Sequence, residues 1–136
     1  MVRLLVVLAL LASISAPISA HAQQPPRVPR VLVFSKTAGY RHSSIPNGIA
    51  AIRKLGRENG FAVDTTEDAG AFTQKNLTRY SAVVFLSTTG DVLNAAQQDV
   101  LERYIQAGGG YVGIHSATDT QYDWPRYGRL AGTYFN

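Results

Sequence analysis

Two stretches of this chain, "RVLVFS" at 30–35 and "SAVVFLS" at 81–87, are unbroken runs of β-branched and apolar residues. A strand with one wet face alternates apolar and polar side chains. A run without alternation has to be covered on both faces, the situation of a strand inside a parallel sheet. The intervening sequence supplies the covers. Ile45, Ile49, Ile52 and Leu55 recur at helical spacing, with Ser44 placed as N-cap, Pro46 in the first turn and Gly60 past the end. "FAVDTT" at 61–66 reads as a further strand, and Leu77 and Tyr80 can anchor a short helix begun at Thr73. Asn94 with Gln97 forms a capping box, followed by the apolar face Val100, Leu101, Tyr104 and Ile105. Gly108 stops that helix, and "GYVGI" at 110–114 is the last strand. Strands alternating with helices, joined by right-handed crossovers, predict an α/β fold with a doubly wound parallel sheet.

The N-terminus follows different rules. Arg3, the apolar "LLVVLALLASI" and "AHA" at 20–22 have the order of a secretory signal peptide over residues 1–22, with cleavage expected after Ala22. The expected location is periplasmic or secreted, with no membrane span after signal cleavage, since no other stretch approaches about 18 continuous apolar residues. "QQPPRVPR" at 23–30 reads as an extended Pro-rich linker. Residues 31–136 then form one small domain. The chain has no cysteine, which excludes disulfides and thiolate chemistry. Its charges alternate and form no basic block, so no nucleic-acid partner is expected.

In open parallel sheets, ligands sit at the carboxyl ends of the strands, near the switch in strand order. Three loops leave that edge: "SKTAGYRHSS", "STTGDVLN" and "HSATDTQYDWP". If the order is 2-1-3-4, the first two flank the switch and the third lies next to it. After residue 22 there are two histidines, His42 and His115, and each falls in one of these loops. Imidazole titrates near neutrality in water, so each can act as general acid or base, as a neutral donor, as a metal ligand, or as a structural hydrogen-bonding group. Asp119 can orient His115 or bind hydroxyls, and "SATD" can equally cap a following helix. Ser116 is placed to bind rather than to attack, because no acid–base triad accompanies it. Arg41 and Asp123 are candidate polar contacts, and Tyr40, Tyr122, Trp124 and Tyr127 candidate aromatic walls for a sugar. Trp124 and Tyr127 could as well staple the last helix to the sheet. Two histidines and an aspartate would be a minimal metal set, but the histidines lie far apart in sequence and the four-residue spacing of His115 and Asp119 falls in a loop rather than on a helix face, so no metal ligand is assigned. The glycine run 108–110 precedes its strand, whereas a phosphate cradle follows one.

The segments "VLVFSKTAGYRHSSI", "VVFLSTTGDVLN" and "GGGYVGIHSATDTQYDWPRYGRLAG", in this order, resemble the trehalose-utilization (ThuA-like) domain family. The resemblance implies a flavodoxin-like sheet of the class I glutamine amidotransferase type. It also implies a role in carbohydrate metabolism, in bacterial pathways that pass through 3-keto sugars. In the amidotransferase relatives the turn after the fourth strand reads G-x-C-x-G; here it reads Gly113-Ile114-His115-Ser116-Ala117. The chain therefore cannot be a glutamine amidotransferase, and His115 stands where the nucleophile would be. The family's domains run on for about another hundred residues, so this sequence is expected to be a truncated, N-terminal part of one.

Two classes of function follow. One is an exported hydrolase- or lyase-type enzyme of keto-sugar processing, with His115, His42 and Asp119 as catalytic groups. Tyr40, Arg41, Ser116, Asp123 and Trp124 would bind a small carbohydrate. The other is a noncatalytic carbohydrate-binding or interaction domain of a larger protein. A binder tolerates Gln in place of His115; a proton-transfer catalyst does not.

Overall fold

A computed structural model describes residues 27–135. The signal-peptide and cleavage-site expectations, and residues 23–26 of the expected linker, lie outside the described residues. The strands are β1 (Arg30–Phe34), β2 (Ala62–Thr66), β3 (Ala82–Leu86) and β4 (Gly110–Ile114). They form one parallel sheet in the order β2-β1-β3-β4. Arg30, placed in the linker by its composition, is already the first residue of β1 and pairs in register with Ala62.

The alternation of side chains along β1 and β3 divides the core in two. Leu32, Phe34, Val83 and Phe85 face one side, where Leu77 of α2 (Gln74–Leu77), Leu101 of α3 (Ala95–Gln106) and Tyr127 of α4 (Pro125–Ala131) cover them. Val33, Val84 and Leu86 face the other side, against Ile49 and Ile52 of α1 (Ile45–Asn59). Helices thus cover both faces, which is what the unbroken apolar runs of β1 and β3 demand. β4 lies at the sheet edge, and Val112 is 45% exposed there.

Most helix ends follow the expected chemistry. Asn94 and Gln97 make the reciprocal capping box, and Thr73 accepts the Asn76 amide at the start of α2. Gly60 closes α1 at φ 73°, a left-handed value that costs glycine little. Ser44 precedes α1 as expected, but its side chain makes no capping hydrogen bond. Its backbone is already helical (φ −75°, ψ −12°), whereas a capping hydroxyl reaches the N2 or N3 amide from an extended residue. "SATD" caps no regular helix either: residues 115–118 form a 3-10 turn, and α4 starts later, after Trp124.

Candidate active site at the carboxyl edge of the sheet

The three loops beyond the carboxyl ends of β1, β3 and β4 are tied together by the "STTG" segment. Thr89 accepts the Ala38 amide on its carbonyl (2.7 Å) and donates its hydroxyl to the Tyr40 carbonyl (2.8 Å). Gly90 donates its amide to the Asp119 carbonyl at 2.8 Å, and the hydroxyls of Thr88 and Thr120 lie 2.9 Å apart in the interior. The β3 loop therefore clamps the β1 loop on one side and the β4 loop on the other.

The clamp brings the two histidines together. His115 Nε2 lies 3.3 Å from His42 Nδ1, and the ring centroids are 4.4 Å apart at 63°. The Tyr40 ring stands edge-on to His42 at 4.9 Å. Tyr40, His42, His115, Ser116, Asp119 and Phe135 line one cleft of about 220 Å3. His115 occupies the elbow with φ 56°, a region that L-residues rarely adopt, though histidine enters it more readily than most. This turn sends the chain from β4 into the 3-10 turn and leaves the imidazole exposed while Ser116 and Ala117 go inward.

The elbow is braced from below. Tyr127 is fully buried, and its hydroxyl donates to the Ala117 carbonyl at 2.7 Å, with the Tyr111 hydroxyl at 2.7 Å on its other side. Burial pushes the Tyr127 phenol far above its ordinary value, so it stays a donor. Asp119 is also held, its Oδ1 accepting from the Tyr122 hydroxyl at 2.8 Å; the Phe135 carbonyl lies 2.7 Å from that same hydroxyl.

Several expected residues are absent from the cleft. Trp124 stacks on Tyr127, with centroids 5.9 Å apart, and lines a separate groove with Leu101 and Ile105. It therefore staples α4 to the sheet and is not a wall of this cleft. Arg41 turns away to a two-pronged ion pair with Glu67, at 2.7 and 3.0 Å. That carboxylate raises the Arg41 pKa, through its hydrogen bonds first and its charge second. Asp123 is exposed and does not line the cleft. Ser116 does line it, but its Oγ is enclosed and has no hydrogen-bond partner. Tyr127, like Trp124, is a staple and not a wall, Tyr122 supports Asp119 from outside the lining, and Phe135 escapes a sequence reading. Nothing in "GTYFN" marks Phe135 for a loop some twenty residues earlier. Among the described residues, no three His, Asp or Glu side chains gather as a ready metal cluster, and no helix is long and apolar enough to cross a membrane.

A parallel, doubly wound α/β domain with an imidazole pair at a cysteine-free elbow is the class that these observations define. Residues 30–136 match the ThuA family model, described as trehalose utilisation, and the chain belongs to that family. It is also similar in structure to a ThuA-like protein from Bacteroides uniformis ATCC 8492, known from a crystal structure, with a TM-score of 0.62 and 22% identity. The match covers 80% of this chain and 46% of that one, so this chain spans about half the length of that relative. At that identity the likeness speaks for the flavodoxin-like fold alone. No curated protein matches the chain significantly.

Proposed function

We propose that this chain is the imidazole-bearing part of an exported enzyme that processes a small carbohydrate, a trehalose-derived keto sugar being the substrate class. The observation that carries this reading is the approach of His115 Nε2 to His42 Nδ1 in a cleft rimmed by Tyr40 and Phe135. The two inner nitrogens face each other, so His115 Nδ1 and His42 Nε2 are left for a substrate. One neutral imidazole takes a proton from a sugar hydroxyl, or from a carbon beside a carbonyl. The pair passes charge across the inner contact, and the other imidazole returns a proton elsewhere on the ring. Asp119, held by Tyr122, supplies an acceptor for sugar hydroxyls, and the exposed aromatic faces suit the apolar face of a pyranose. The family's link to trehalose utilisation supports the substrate class, and the N-terminal sequence supports export to the periplasm or beyond.

The test is turnover of a 3-keto disaccharide by the full-length protein and by His115→Gln and His42→Gln. Each variant should lose at least about a hundredfold in turnover, the usual scale of general acid–base catalysis, while still binding the sugar. Turnover at the parent rate in both variants would remove the pair from the mechanism. The export half predicts Gln23 as the N-terminus of the mature protein by intact mass; a mature protein retaining Met1 contradicts it. A second reading, a noncatalytic sugar-binding domain, draws on the aromatic rim alone, with Tyr40 71% and Phe135 66% exposed. It predicts binding without turnover in the parent as well.

A further inference from the structure

We infer that the inner nitrogens of the same pair, His42 Nδ1 and His115 Nε2, form a chelating site for a divalent transition metal of the zinc class. The spacing is the first argument. The 3.3 Å separation is long for a hydrogen bond from a ring N–H, whose distances normally run to about 3.2 Å. It matches the ~3.3 Å between two nitrogens that each stand about 2.0–2.1 Å from a tetrahedral ion. The donors are the second argument. Neutral imidazole is the ligand that zinc and its neighbours favour, and the cleft also holds a carboxylate. Asp119 has Oδ1 fixed by the Tyr122 hydroxyl at 2.8 Å, the kind of outer contact that orients a ligating carboxylate, and Oδ2 remains for the ion.

Two adjustments complete the site. Convergence of both lone pairs on one ion requires the rings to splay, their centroids moving from 4.4 Å to roughly 5 Å. Rotation about the broad terminal torsion of each histidine provides this at low cost. Asp119 has to swing in, or reach the ion through a water, because no three-ligand group is preformed among the described residues. The remaining position of a tetrahedral ion stays open at the cleft mouth. Chelation uses the lone pairs that carry the internal proton transfer proposed above. The metal-loaded and proton-relaying forms therefore exclude each other, and zinc should slow turnover.

Zinc titration of the full chain against a chromophoric chelator, with cobalt absorption as a second readout, tests this. The expected result is one ion per chain and a tetrahedral cobalt spectrum. Affinity should fall at least tenfold in His42→Gln and in His115→Gln and less in Asp119→Asn, with circular dichroism unchanged. Equal affinity in the parent and in the His42→Gln/His115→Gln double variant would overturn the site. Zinc binding that persists in a protein without sugar turnover would count against the proposed function and leave the metal site standing.

Discussion

His115 holds a left-handed backbone at φ 56° without being glycine, and conformations of this kind cost of order 1–3 kcal/mol. Its surroundings have to enforce it. On one side the Ile114 carbonyl accepts the Ser87 amide at 3.1 Å, and on the other Tyr127 grips Ala117. Removing the phenol oxygen should therefore be felt at the elbow. Tyr127→Phe leaves the Ala117 carbonyl and the Tyr111 hydroxyl short of a buried partner, at a cost of about 1–3 kcal/mol. Denaturant unfolding should register that loss, and turnover should fall several-fold in a variant that is still folded. An unchanged unfolding midpoint would mean that the hydroxyl braces nothing. This residue scale is also where sequence reading was weakest. His42 and His115 could be assigned to loops at one sheet edge, but their meeting depends on Thr89 and Gly90, whose turn chemistry announces no clamp. Arg41 and Trp124 sat in the right loops with the right chemistry, and their partners Glu67 and Tyr127 drew them elsewhere. Side-chain direction is a tertiary property, and the local sequence does not carry it.

Elements were far more legible, because period and capping are local. The unbroken runs of β1 and β3, the Thr73 start of α2 and the Asn94–Gln97 box all follow from neighbours within a few residues. A tie between elements was not legible. Asp64 on β2 receives Arg30 of β1 at 2.8 Å and the Tyr80 hydroxyl at 2.9 Å, residues 34 and 16 positions away. Burial pushes the Asp64 carboxyl up, but the hydrogen bonds from Arg30 and Tyr80 and the charges of Arg30 and Arg79 outweigh it. Its pKa is lowered overall. A carboxyl depressed in the folded state stabilises the fold above its unfolded value, near 3.9, and that contribution fades as pH falls through the folded value. The Asp64 side chain is 35% exposed, so solvent screens the pair and the contribution is at most about 1 kcal/mol. Asp64→Asn should thus unfold more easily at pH 7, and the two proteins should converge in acid below the ordinary carboxylate range. A difference that stays constant from pH 7 into acid would exclude the charge as its source.

At the scale of the whole molecule, helices on both faces and the order β2-β1-β3-β4 place the loops after β1 and β3 on either side of the switch, with the β4 elbow beside them. This arrangement allows a cysteine-free chain to gather titratable groups where parallel sheets place their ligands. The central claim is that the two imidazoles form one site that a sugar occupies. Long-range proton–nitrogen NMR of the imidazoles during titration with trehalose, followed by a keto sugar, tests it most directly. The account predicts that His42 and His115 resonances move together, along one saturation curve, and that His42→Gln by itself shifts the Nε2 resonance of His115. Imidazole signals that ignore the sugar, with a His115 Nε2 resonance indifferent to the loss of His42, would contradict it.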